Sequence, residues 1–198
     1  MSTTPFRKRP TDSALPGAWR RVWRSSPLLL LFLLAVWWLG PAGGSPAPGQ
    51  VERVIDGDTV RLVAADGEVL TVRLLAVDTP ESGQEGGDAA RDFVVARVCG
   101  HAVSWRSHGL DRYGRTVGSI EVGGEDLAVL LLRKGLAWRL QRYLEGQPAE
   151  LRTAYEAAWL EAREARRGLW AGEPQPPWEW RKLNRPAPGH AVDCADRR

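Results

Sequence analysis

Polar and apolar positions in the first fifty residues fall into blocks and show no strand or helix period. Residues 1–26 are polar and basic, with Asp12 the only acid. Leu28 to Leu39 is an unbroken run of twelve apolar residues, and no charged residue occurs between Arg24 and Glu52. Twelve such residues suit the core of a signal peptide. Pro27 through Gly44 offers eighteen tolerable ones, close to the roughly 20 that a full span needs. A buried core helix is disfavoured by the basic flank and the Pro/Gly-rich exit. Segment 27–44 is therefore expected to be a signal peptide or an uncleaved membrane anchor, and the long basic stretch before it favours the anchor. Trp37 and Trp38 stand where an interfacial aromatic belt would lie. Either reading keeps the basic end in the cytoplasm and puts the rest of the chain outside. The expected location is extracytoplasmic, with the protein held at the membrane or secreted after cleavage.

After a Pro/Gly/Ser/Ala-rich linker at 45–50, the pattern changes to short runs rich in Val, Leu and Thr. Val51 to Ile55, Thr59 to Ala64, Val69 to Val77, Ala102 to Arg106 and Thr116 to Val122 read as five strands. The Asp-Gly pair in "AADGE" marks a hairpin between the second and third. Three helices are expected. One covers Ala89 to Val98, with Asp88 as its cap, and one covers Glu125 to Lys134, ending at Gly135. The third opens at Pro148, where Leu151, Tyr155, Ala158, Ala162, Ala165 and Leu169 recur at steps of three and four. The stretch 173–198 is proline-rich and basic and reads as a loosely packed tail. These elements predict an α+β domain over 51–172, a five-stranded closed barrel with packed helices, and a monomer.

Composition changes this picture little. The chain has 198 residues, is 43% apolar and carries a net charge of +3. That suits one globular domain with tails and names no partner by itself. Cys99 and Cys194 are the two cysteines, without C-x-x-C spacing, and the three histidines are scattered. This spacing argues against a structural zinc site. Outside the cytoplasm the two cysteines either pair or stay free, and their spacing does not decide between these.

The chemistry lies in two acidic knots, "VIDGDTVRL" and "AVDTPE". Asp58 opens the second expected strand and Asp78 closes the third, so a hairpin would set them side by side. Two adjacent carboxylates repel unless a proton or cation intervenes, and an oxygen-only site favours Ca²⁺ or Mg²⁺. Asp56 reads as a turn residue. Arg73 precedes Asp78 by five residues, so strict alternation sends the two to opposite faces, and only a bend or bulge would turn Arg73 into the site. Glu81, in a loop after Pro80, is a candidate water-activating base. "DRYGR" adds Arg112, Tyr113 and Arg115, an aromatic between two guanidinium groups that suits a nucleotide.

The blocks "VIDGDTVRL", "VRLLAVDTPE", "DRYGR" and "RKGLAW", in this order and spacing, resemble the thermonuclease family typified by staphylococcal nuclease. The resemblance covers about Gln50 to Gly172 and implies an OB-fold barrel with three helices. It implies Ca²⁺ held by Asp58, Asp78 and the backbone carbonyl of Thr79. It also implies Glu81 as general base, Arg73 and Arg115 on the scissile phosphate, and Arg112 and Tyr113 on a neighbouring phosphate or sugar. The implied activity is sequence-nonspecific hydrolysis of DNA and RNA, preferably single-stranded. A barrel that binds nucleic acid or protein without cutting is the alternative. One departure stands out: "RLQRYL" after "GLAW" offers only Tyr143, with Leu140 where an aromatic is expected.

Overall fold

The computed structural model describes residues 45–184 and 190–197. The expected anchor at 27–44 lies outside them. Among the described residues no helix is long and apolar enough to cross a membrane.

Among the described residues nine strands occur, in the order β1 (Ala47–Val54), β2 (Thr59–Ala64), β3 (Val69–Leu74), β4 (Val77–Asp78), β5 (Ala102–Leu110), β6 (Thr116–Val122), β7 (Glu125–Asp126), β8 (Trp138–Arg139) and β9 (Val192–Asp193). Five of them close a barrel: β1 pairs with β2, β2 with β3, β3 with β6, β6 with β5, and β5 with β1 again. Only the β3–β6 pair is parallel. Closure leaves the barrel without an open sheet edge; alternation, with a register shift between Val51 and Arg53 that lets Val51 and Val54 share the inner face, buries Val51, Val54, Val60, Leu62, Val72, Leu74 and Ile120 in the interior.

Strand β1 begins at Ala47, inside the stretch expected to be linker. Ala47, Pro48, Gly49 and Gln50 face Trp105, Ser104, Val103 and Ala102 of β5. Composition read these residues as flexible, but backbone pairing with a barrel strand overrides it.

Among the described residues four α-helices accompany the barrel instead of three: α1 (Gly87–Val98), α2 (Leu127–Lys134), α3 (Ala149–Glu164) and α4 (Pro177–Leu183). The cap expected of Asp88 is not made. Helix α1 starts from Gly86 in a left-handed conformation, and the Asp88 carboxylate instead accepts from Arg91 at 2.7 Å. Helix α2 is capped by Asp126, which accepts from the N–H groups of Ala128 and Val129, and it ends at Gly135 at φ 71°. Helix α3 stops at Glu164, and the chain turns at Arg166 at φ 49°, so Ala165 and Leu169, the last two positions of the expected apolar repeat, lie beyond the helix.

The segment read as a loose tail is packed on the domain. It supplies α4 and β9, with β9 adding to β1. Arg53 pairs with Asp193, and Cys194 forms a disulfide with Cys99 at the end of α1.

Candidate active site

The third expected strand, Val69 to Val77, is broken in the middle. β3 ends at Leu74, the chain turns through Leu75 and Ala76, and Ala76 takes a left-handed φ of 53°. β4 then starts afresh and pairs with β8 instead of extending the β2–β3 hairpin, with Val77 opposite Arg139 and Asp78 opposite Trp138. The β2–β3 hairpin therefore does not place Asp78, contrary to the expectation from sequence. Asp78 is carried by "RKGLAW" from sixty residues downstream, so the fourth motif is scaffold for the second. The break also removes the alternation problem, because the turn resets which face Asp78 presents.

Asp58 and Asp78 therefore converge, and both are buried. Arg73 bridges them, with Nη1 on Asp58 Oδ1 and Nη2 on Asp78 Oδ1, the latter at 2.9 Å. Thr79 closes the cluster from the other side: its N–H and its hydroxyl donate to Asp58 Oδ2 at 2.8 and 3.1 Å. Thr59 donates its hydroxyl to Asp58 Oδ1. Burial alone would push the Asp58 carboxyl up. The Arg73 charge and the Thr79 N–H outweigh it and hold it below the usual range.

Asp56 behaves differently. Burial, reinforced by the neighbouring Asp58 charge, pushes its carboxyl well up. Its Oδ1 accepts from the Asp58 N–H at 3.0 Å, which makes it a turn-shaping residue. Gly57 between the two is required by contact: a Cβ there would lie 2.7 Å from the Ala90 Cβ and 2.8 Å from the Thr79 hydroxyl.

Glu81 sits in the tight loop leading to α1. Its N–H donates to Gln84 Oε1 at 3.0 Å. A Cβ at Gly87 would meet the Glu81 carbonyl at 2.1 Å, so only glycine lets α1 start so close to this loop. The Glu81 side chain is largely buried and points at the same cluster. Arg181 of α4 joins them: its Nη1 pairs with Glu81 Oε1, and its guanidinium reaches Asp78 Oδ1 and Oδ2 at 3.3 and 2.9 Å.

The "DRYGR" residues form the β5–β6 turn. Asp111 organises it, accepting from the Tyr113 and Arg115 N–H groups and from Arg115 Nε at 2.7 Å. Arg112 and Arg115 stack over the Tyr113 ring, at 4.7 and 5.5 Å. Arg115 precedes β6, whose register places Val117 beside Arg73. Alternation thus sets Arg115 and Arg73 on one face of neighbouring strands, although Arg115 is held by Asp111 and not by the acidic cluster. Tyr143 is half exposed and stacks under Arg142 at 4.6 Å. The Leu140 N–H donates to the Ala76 carbonyl, prolonging the β4–β8 pairing.

Sequence reasoning missed Arg181. The available signal was Cys194: a tail with a cysteine that can pair is a tail that can be tied down.

The donor set of Asp58 and Asp78 is all oxygen and fits a hard divalent cation. Among the described residues no group of three or more His, Cys, Asp or Glu side chains is gathered to hold a metal. The remaining ligands would have to be backbone, water or substrate oxygens.

Comparison with known proteins bears on this site. The family model described as "Staphylococcal nuclease homologue" matches residues 71–172, a little over half of the chain. The chain is 34% identical over 150 residues to "Micrococcal nuclease" of Shigella flexneri, covering 70% of this chain and 83% of that protein. An "Uncharacterized endonuclease" of Escherichia coli O157:H7 is 33% identical over 67% of this chain and 84% of its own length. "Staphylococcal-like nuclease CAN1" of Arabidopsis thaliana is 41% identical over 116 residues, 58% of this chain but only 34% of the plant protein. With the family model over more than half of the chain and two bacterial relatives above 30% identity along two thirds of it or more, the chain belongs to the staphylococcal nuclease homologue family.

Proposed function

We propose that this family member is a hydrolase that cleaves phosphodiester bonds in DNA and RNA, without sequence preference, in a Ca²⁺-dependent reaction outside the cytoplasm. The observation that carries the reading is the convergence of Asp58, Asp78, Glu81 and Arg73 at one rim of the barrel. Ca²⁺ bound by the Asp58 and Asp78 carboxylates, with the Thr79 carbonyl, would supply positive charge against the phosphoryl oxygens as negative charge builds on them.

The chain's own residues do the rest. Glu81 takes the proton from the attacking water. Arg73, whose fork is paired with both aspartates in the metal-free chain, would turn it to the phosphate once Ca²⁺ takes over the charge of those carboxylates, a bidentate contact that lysine cannot copy. Arg115 holds a second phosphate oxygen from the adjacent strand. Arg112 and the exposed Tyr113 contact the next phosphate or sugar. None of these groups reads a base edge, so cutting is indifferent to sequence. The Cys99–Cys194 disulfide supports an oxidising, extracytoplasmic home, to which the apolar run at 28–39 would deliver and anchor the domain as a monomer.

The test is cleavage of single-stranded DNA and of RNA by the purified full-length chain. Both substrates should be degraded with Ca²⁺ and spared with chelator. Glu81→Gln should lose about 10²- to 10⁴-fold in rate, the range for a lost general base, with an unchanged unfolding midpoint. A wild-type chain inert on every nucleic acid tried would leave only the binding-module reading.

A further inference from the structure

We propose that Arg181 is the internal cation of the acidic site and that a divalent cation binds by displacing it. This rests on the metal-dependent reading above.

The geometry of Asp78 is the first ground. Its Oδ1 accepts from Arg73 at 2.9 Å and from Arg181 at 3.3 Å, and its Oδ2 accepts from Arg181 at 2.9 Å. Arg181 thus grips both oxygens of one carboxylate and also pairs with Glu81. A divalent ion ligated by Asp78 needs an oxygen lone pair that now faces a guanidinium, and its charge would repel the one already there. The two cations compete for one carboxylate.

The second ground is which arginine can leave. The Arg73 side chain is 16% exposed and rooted in a barrel strand, with a carboxylate on each side. The Arg181 side chain is 38% exposed and belongs to a seven-residue helix outside the barrel. Helix α4 has its own anchors. Trp178, three residues earlier on the same helical face, sits edge-on to Trp138 at 6.3 Å. The Gln175 carbonyl just before the helix accepts from Gln84 Nε2 at 2.6 Å. The guanidinium can therefore swing out while the helix stays docked.

The arrangement couples two events. Displacing Arg181 opens Asp78 to the ion and at the same moment frees Glu81 of its counter-ion. The candidate base is thus neutralised by Arg181 until the site is loaded. A guanidinium released beside the cluster remains within reach of an incoming phosphate.

The experiment is a calorimetric titration of the full-length chain with Ca²⁺, without nucleic acid. Arg181→Gln should bind Ca²⁺ on the order of tenfold more tightly than wild type, the scale of one partly exposed bidentate ion pair. Arg152→Gln, which removes the same charge from an exposed position on α3, should stay within about twofold because solvent and salt screen it. Arg181→Lys keeps the charge without the fork and should fall between, which gives a reading even if the glutamine variant folds poorly. Equal or weaker binding by both Arg181 variants, or no Ca²⁺ binding by any form, overturns the proposal. Cleavage is scored separately. A wild type that cuts with Ca²⁺ while the Arg181 variants bind it no better keeps the nuclease reading and removes the competition. Tighter binding by the variants of a chain that never cuts does the reverse.

Discussion

At the scale of single residues, the site depends on Arg73 more than its position in the sequence suggests. It lies between two buried carboxylates, and each would be costly without it. Removing one partner of a buried ion pair strands the other charge, whereas a partly exposed pair matters far less. Arg73→Gln should therefore lower stability by roughly 3–5 kcal/mol, measured by urea unfolding in chelator. The stranded pair is also the oxygen cluster that suits a divalent ion, and an ion that binds only the folded state stabilises it. Saturating Ca²⁺ should thus recover more stability in Arg73→Gln than it adds to wild type. A variant that loses stability equally with Ca²⁺ and with chelator would show that these carboxylates do not hold the ion.

At the scale of elements, what the sequence revealed depended on how far apart the interacting groups lie. The β2–β3 hairpin, with its Asp-Gly turn, and the apolar face of α3 were legible because period and turn chemistry are local. The break at Ala76 was not, because "RLLAV" reads as one apolar run and only the pairing of β4 with β8 forces the chain to turn. Helix α4 was hidden for a related reason. Seven residues are too few to show a period, and what holds them, Trp178 on Trp138 and Arg181 on Asp78, is tertiary. The residue types of the candidate site were readable as a set of motifs, while the salt bridges that organise them were not. Asp126 shows the same layering. It was passed over as the interior of a helix, but it is the cap of α2 and accepts from the hydroxyl of the buried Tyr155 at 3.3 Å. Burial holds its carboxyl up at about 6, against 3.8 ordinarily. Between those values the folded chain keeps on this carboxyl a proton that the unfolded chain has shed, so the contribution of Asp126 to stability falls as pH rises through about 4 to 6 and is constant above. Asparagine caps a helix as well as aspartate does and cannot ionise. Asp126→Asn should match wild type near pH 4 and exceed it by up to about 3 kcal/mol at pH 7, by urea unfolding across that range. A difference that does not change with pH would rule out Asp126 as the titrating group.

At the scale of the molecule, the Cys99–Cys194 bond ties the end of α1 to the far end of the chain across 95 residues. It closes the C-terminal segment over the barrel, where β9 pairs with β1 and Asp193 with Arg53. That ion pair is exposed and worth little alone, and a two-residue strand adds little more, so the covalent link dominates this attachment. Most of the effect of such a link is the freedom it removes from the unfolded chain, and a loop of this length corresponds to about 4–5 kcal/mol. The double variant Cys99→Ser/Cys194→Ser should lose stability of that order in urea. Reductant should bring wild type down to the same midpoint and leave the double variant unmoved. The five barrel strands pair through backbone hydrogen bonds and β4 pairs with β8, none of them through the Cys99–Cys194 link, so the reduced protein should still fold at 25 °C and still gather Asp58, Arg73 and Asp78. A wild type whose midpoint ignores reductant would mean that the two thiols are not joined in solution, and it would remove the main structural support for an oxidising home.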